Sequence, residues 1–416
     1  MRELILEKSR QILEQNQKLI PDGKTFAGTT LFDQGETPFS FVKGKGGEIW
    51  DVDGNQYTDY ILSLGSVSLG YNYPEVDKAI ADQLANGVSF SLPHQLEMDV
   101  AQKLVEMIPC AETVKYGKNG SDALSAGLRL ARQITGREHI MTCGFHGCRD
   151  WSIAQTSKNS GIPEDIRALT HRFRYNDIED FKRIVSENKN QIACVIMDVV
   201  ARYSPNEGYL EEIRAITKEE GILLIFDEVV TGFRMHPGGA SGFYGVTPDF
   251  AAFGKGIANG MPLSVLAGPR ELMEHSSQIF YSLTAAGETL SLAAASAALD
   301  IFKNQGVAEH LAALGESFIG GFRELIKTHG LEEHLNVEGM PSRPIVGIKT
   351  EDHLTFQQRE AKVVHLLSFL ARHFAEHGIL YNGSIFFCYS HTQDNVKRLL
   401  QVWDETLPTL KKMVRG

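Results

Sequence analysis

Asp227 and Glu228 close the apolar run ILLIF (222–226), and Lys255 follows the run FAAF (250–253) between Gly254 and Gly256. An amine in a glycine turn, with a carboxylate on a neighbouring strand end, suits one kind of chemistry well. The amine forms an imine with an aldehyde cofactor, and the carboxylate keeps that cofactor's ring nitrogen protonated. Pyridoxal 5'-phosphate is the cofactor that needs this pair, and its cationic ring then acts as an electron sink for amine chemistry. The competing reading of Lys255 is a solvated surface lysine. Its two glycine neighbours and the sharp turn Asn259-Gly260-Met261-Pro262 argue against that.

Other residues fit the same chemistry. The loop GKNGSDA (117–123) lies between a strand-like and a helix-like stretch, where free N–H groups and the helix dipole make an anion site. Gly120 allows close approach and Ser121 adds a hydroxyl; the plainer reading is a helix start capped by Ser121 or Asp122. The loop has neither the GK[ST] of a Walker loop nor the GxGxxG of a dinucleotide loop. Phe145-His146-Gly147 follows the run HIMTCG (139–144), at the strand end where ligands of α/β sheets bind. There Phe145 can lie on a planar cofactor; the alternative is a core phenylalanine beside a surface histidine. Asp198 also ends a run, to orient a neighbour of the cofactor or cap a loop. Two metal readings compete: Mg²⁺ on Asp227, which lacks its Walker loop, and zinc on Cys143, His146 and Cys148, which lacks a second ligand pair. No metal is expected.

These residues need a scaffold of strands whose ends meet. GGEIWDVDGNQYTDYI (46–61) is a β-hairpin signature with Asp-Gly at the turn. From about 75 to 310, helical and strand-like stretches alternate. Helices are expected at 74–87, 95–109, 122–136 and 210–221, and strands at 112–117, 139–144, 193–200 and 222–230. The last two runs lack two-residue alternation, so both their faces should be buried, as in a parallel sheet. The pattern is a repeated βαβ unit, hence an α/β fold. After about 310 the texture changes to helices at 315–330, 363–378 and 394–414 with a strand at 343–350. The expected division is an N-terminal segment 1–65 that packs with the small domain, a large domain 66–310, and a small α+β domain 311–416.

The whole chain sets limits. Its 416 residues, 43% apolar and 22% charged, are those of a soluble globular protein of two or three domains. The formal charge of −11 makes a poor nucleic-acid binder. Five cysteines (Cys110, Cys143, Cys148, Cys194 and Cys388) form no CxxC, which fits a reducing cytoplasm better than a disulfide framework. The start, MRELILEKSRQILEQNQKLI, is charged throughout and reads as an amphipathic helix rather than a signal peptide. No apolar run approaches the ~18 residues of a membrane span.

IWDVDGNQYTDY (49–60), NGSDALSAGLRLARQITGRE (119–138), GFHG (144–147), LLIFDEVVTGFR (223–234), GGASGFYGVTPDFAAFGKGIANGMPLS (238–264) and SHT (390–392) together resemble the class III aminotransferases. These are fold-type-I pyridoxal-phosphate enzymes, and the likeness is strongest to the glutamate-1-semialdehyde aminomutase group. The resemblance runs from about residue 20 to 400 and implies a large domain with a mostly parallel, seven-stranded type of sheet. It implies that Lys255 forms the internal aldimine and shuttles a proton, and that Asp227 pairs with the pyridine nitrogen. Gly120 and Ser121 would hold the phosphate, Phe145 would stack on the ring, and Val229 would press on its other face. Thr284 would reach the phosphate of a neighbouring subunit, in a homodimer with sites at the interface.

Departures from the aminomutase pattern bear on the substrate. Where that group has an arginine that grips the substrate carboxylate, PDGKTFAGTTLF (21–32) has Thr29 and Thr30 and no arginine. A common Glu-Pro pair is Asp198-Val199 here, Glu288 in TAAGET (284–289) replaces asparagine, and NGSIFFCYSHT (382–392) has no acid. The expected enzyme is therefore a transaminase that takes a small-molecule amino donor and a carbonyl acceptor, a keto sugar or sugar-derived compound. Intramolecular amino transfer is the alternative. A metal- or nucleotide-binding α/β protein without pyridoxal phosphate is the alternative of another class.

Overall fold

A computed structural model describes residues 3–24, 35–349 and 356–415. Thr29 and Thr30 lie outside the described residues. The chain divides into two compact units, Pro74–Glu309 and a second built from residues 1–73 with 310–416.

The second unit opens with the helix Glu7–Leu19 and goes on to three short strands: β1 (Phe41–Lys45), β2 (Glu48–Asp51) and β3 (Gln56–Asp59). Strands β2 and β3 pair antiparallel around the expected Asp53-Gly54 turn. Asp51 organises that turn, because its carboxylate accepts the N–H groups of Asp53 and Asn55 and the hydroxyl of Tyr57. The next segment does something unusual. Leu62, Ser63, Leu64 and Gly65 all have positive φ, at 48°, 51°, 53° and 81°. Left-handed backbone costs L-residues roughly 1–2 kcal/mol each. The buried carboxylate of Asp59 holds the turn by accepting the N–H groups of Ile61 (2.7 Å) and Leu62 (3.1 Å) and the hydroxyl of Tyr71 (2.7 Å).

The unit Pro74–Glu309 carries the sheet of interest. Its strands are β4 (Thr113–Gly117), β5 (His139–Cys143), β6 (Thr170–Arg172), β7 (Ile192–Asp198), β8 (Leu223–Asp227), β9 (Phe250–Phe253) and β10 (Ser264–Gly268). Their order is β4-β10-β9-β8-β7-β5-β6. Only β10 runs against its neighbours, so the sheet is mostly parallel. Strand β7 is buried along six of its seven residues, as its unbroken apolar run requires. The helix Gly120–Thr135 covers one face, and its Leu124, Leu128 and Leu130 join a core with Ile140, Ile196, Ile225 and Leu266. The C-terminal ends of β5, β7 and β8 lie side by side. They bring Gly144–His146, Asp198 and Asp227 to one edge of the sheet.

The remaining strands, β11 (Leu335–Met340), β12 (Arg343–Ile348) and β13 (Ile379–Leu380), belong to the second unit. β11 and β12 form a hairpin, and β13 adds to β3 in parallel. Helices Phe356–Glu376 and Gln393–Arg415 flank them, with Phe322, Phe374 and Tyr381 packed edge-on against Trp403. No helix among the described residues is long and apolar enough to cross a membrane.

Candidate active site

The centre of the site is the end of β8. Asp227 is buried; its Oδ1 accepts the N–H of Val229 (3.0 Å), and its Oδ2 lies 2.8 Å from His146 Nδ1. The other ring nitrogen of His146 lies 3.1 Å from the carbonyl oxygen of Cys143. Both nitrogens thus face acceptors, and only an imidazolium donates to both. Burial disfavours that cation, but the hydrogen bond and charge of Asp227, with the charge of Asp198, outweigh it and raise the His146 pKa. The sequence alternative of a core Phe145 beside a surface His146 is reversed: His146 is buried and the Phe145 ring is 75% exposed.

Asp198 ends β7 opposite Asp227 in the parallel register. Burial first, and then repulsion from Asp227, push its carboxyl up to about 7, against the pull of His146 and Lys255. Its Oδ2 accepts the N–H of Phe145 at 3.3 Å. Glu228 points the other way. It is fully buried and accepts the hydroxyl of Thr231, the N–H groups of Ala240 (2.8 Å) and Ser241 (2.7 Å), and the Ser241 hydroxyl (2.8 Å). This carboxylate closes the loop after β8 and is spent on structure.

Lys255 follows β9 with φ +43°, a left-handed conformation that a non-glycine residue adopts at a cost. A Cβ on Gly254 would lie 3.5 Å from Val229 Cγ1 and 3.6 Å from Gly120 N, and a Cβ on Gly120 would come within 2.6 Å of Val229 Cγ2. The lysine turn, Val229 and the start of helix Gly120–Thr135 therefore converge. That helix is capped by Asn119 in a capping box with Asp122, not by Ser121. The Ser121 hydroxyl instead donates to the His146 carbonyl (3.4 Å). Gly120, Ser121, Phe145, Asp227, Val229 and Lys255 form one constellation. Thr284 sits elsewhere, exposed on a cavity of about 560 Å³ shared with Phe90, Tyr116, Tyr281 and Glu288. Glu288 pairs with Lys118 (3.0 Å) and caps the helix Thr289–Asn304.

This constellation fits a phosphorylated, cationic aromatic aldehyde. It offers a helix N-terminus for the phosphate, a close approach of Val229 to that helix start that Gly120 allows, a buried carboxylate for a ring cation and an amine for the aldehyde. Residues 31–382 match the family model for aminotransferase class III. The chain belongs to the class III aminotransferases. It is 32% identical to a 3-aminobutyryl-CoA aminotransferase from Cloacimonas acidaminovorans, with 99% of each chain covered. It is 31% identical to a glutamate-1-semialdehyde 2,1-aminomutase from Methanosphaera stadtmanae, over 98% of this chain and 100% of the other. Among solved structures it is similar to the FumI protein of Sphingopyxis sp. MTA144 in its PLP internal aldimine form. The TM-score there is 0.89 at 25% identity, over 97% of this chain and 96% of that one. As a class III aminotransferase of fold type I, the protein is a pyridoxal-phosphate-dependent transaminase.

His146 as the partner of Asp227 escaped assignment from sequence, and Asp198, read there as orienting a neighbour of the cofactor or capping a loop, lies beside that pair. The signal was the shared position at strand ends, which becomes decisive only when the strand order is known. Among the described residues, His146, Asp198 and Asp227 are the one group whose donor atoms, all within 4.8 Å of one another, suit a metal. Neither cysteine of the zinc reading joins it; Cys143 is buried and Cys148 exposed.

Proposed function

We propose that this aminotransferase moves an amino group from a small amino donor to a polyhydroxylated carbonyl acceptor of the keto-sugar class, as a cytoplasmic homodimer. The observation that carries the chemistry is the buried Asp227–His146 pair, 2.8 Å apart, at the strand end beside the Lys255 turn. Asp227 holds the pyridine nitrogen of the cofactor, kept anionic and in place by His146. Gly120 and Ser121 hold the phosphate at the helix N-terminus, with Phe145 and Val229 on the two faces of the ring. Lys255 would bind the aldehyde, and its free amine would take and return the proton of the substrate carbon. When bound, pyridoxal 5'-phosphate supplies the electron sink that makes that proton removable.

The acceptor class is supported by chemistry of the chain itself. Residues 21–32 offer Thr25, Thr29 and Thr30 but no arginine, the side chain suited to a bidentate carboxylate clamp. The homodimer is supported by Leu92 and Phe280, each 80% exposed beside the Thr284 cavity or next to one of its lining residues. Large exposed apolar side chains of this kind are suited to cover by a second copy, which would carry Thr284 to the partner's phosphate. Intramolecular amino transfer is the second reading, favoured by the similarity to aminomutases. Incubation of the yellow holoprotein with glutamate and a panel of keto sugars, read by mass spectrometry, should show a mass change of oxo to amino. Rapid isomerisation of an amino-acid semialdehyde with no donor present, and no aminated sugar, would overturn this reading in favour of the second.

A further inference from the structure

The turn after β5 is held at two consecutive residues by two different carboxylates. Parallel pairing sets Met197 of β7 against Cys143 of β5 and Asp198 against Asp227 of β8. Gly144 therefore comes to lie over Asp198. A Cβ there would stand 2.2 Å from Asp198 Oδ2, and its φ of +116° is one that L side chains rarely adopt. The bare peptide allows the carboxylate to close in, and Asp198 Oδ2 takes the next N–H, that of Phe145. One residue later Asp227 takes the His146 ring. Between the two grips the Phe145 ring is turned outward and exposed.

The electrostatics of this corner are equally specific. His146, Asp198 and Asp227 present donor atoms within 4.8 Å of one another. The His146 ring meets an acceptor at each nitrogen, and it stacks on Trp151. Around it stand Asp227 from β8, Asp198 from β7 and the Cys143 thiol of its own strand. Burial pushes that thiol up to about 12, so it stays neutral. Lys255 is the second cation acting on Asp198.

We propose that Asp198 is a positioning residue with two effects: it fixes the backbone that presents Phe145 to the cofactor ring, and in its ionised form it adds to Asp227 in holding His146 cationic. The inference rests on the assignment of Asp227 and Phe145 to that ring. It gives the aspartate that stands in place of the family's glutamate a purpose, because its carboxylate closes on the Gly144–Phe145 peptide that the missing Cβ of Gly144 leaves open. Asp227 can then present one oxygen to Val229 N–H and one to the His146 imidazole.

The test uses the cofactor-free full chain, so that it stands apart from the cofactor assignment. In protein with ¹⁵N-labelled histidine, the His146 signal is assigned by its loss in His146→Gln. The isosteric Asp198→Asn removes the charge and keeps an acceptor for Phe145 N–H. Its His146 titration midpoint should fall by about one pH unit, as loss of a nearby opposite charge requires. Exchange of the Phe145 amide should stay as in the parent in Asp198→Asn and speed up about tenfold in Asp198→Ala, where the local closing bond is gone. An unmoved midpoint in Asp198→Asn overturns the electrostatic effect, and an unchanged Phe145 amide in Asp198→Ala overturns the positioning. A wrong cofactor assignment shows separately, as undiminished pyridoxal 5'-phosphate affinity in Asp227→Ala.

Discussion

In the proposed reading Lys255 and Asp227 carry the chemistry, and each is held in a setting that an isolated peptide would avoid. Lys255 takes a left-handed φ in its turn, and Asp227 is buried 2.8 Å from the His146 ring. Borohydride reduction of the yellow protein followed by peptide mapping should place the adduct on Lys255. In Lys255→Ala turnover should drop by about 10²–10⁴-fold, the range for loss of a positioned proton-transfer group. An unlabelled Lys255 peptide, or a fully active alanine variant, would remove the basis of the mechanism. Both positions stand out in the sequence, because an apolar run that ends in an acid or in Gly-Lys-Gly has few uses. His146 does not. Next to Phe145 the ordinary hydrophobic expectation puts the phenyl ring inside and the imidazole out, and only the adjacent strand ends supply the two acceptors that invert it.

At the scale of elements, local rules read well where one signal dominates. Strands β7 and β8 follow from unbroken apolar runs, and the β2–β3 turn from Asp-Gly. The helix start at 120 was harder. Asn119, Ser121 and Asp122 are all good capping types, and the choice depends on which residue is extended, here Asn119 with φ −136° and ψ 161°. The Leu62–Gly65 turn left no trace, since leucine and serine do not favour positive φ. The segment Ser390-His391-Thr392, which leads into helix Gln393–Arg415, makes a testable case of its own. His391 is fully buried against Tyr60, its Nδ1 accepts the Cys388 N–H, and burial pushes its pKa down to about 4. The folded chain thus keeps it neutral while the unfolded chain protonates near pH 6.5. Its contribution is complete above pH 6.5 and is lost as pH falls toward 4, by about 3 kcal/mol for that difference in pKa. Denaturant titrations at pH 7.5 and 4.5 should show His391→Gln losing less stability on acidification than the parent by about that amount. Equal losses would mean that His391 does not titrate with unfolding.

The whole molecule raises the question of assembly. A chain with charge −11 resists nonspecific association, so the large apolar side chains left on its surface call for a specific cover. Leu92→Asp places a charge in that patch. Sedimentation should show the parent as a dimer and the variant shifted toward monomer, with activity falling in step if Thr284 serves the partner's site. A parent that sediments as a monomer while fully active would refute the shared site.

The turn at Leu62–Gly65 has one more implication. A left-handed coil of L-residues is what a right-handed coil of D-residues looks like in a mirror. At Ser63, whose side chain is exposed, inverting the stereocentre would relieve a clash rather than create one. Most positions in a protein punish the wrong hand; this one would welcome it, provided Asp59 still accepts the N–H groups of Ile61 and Leu62.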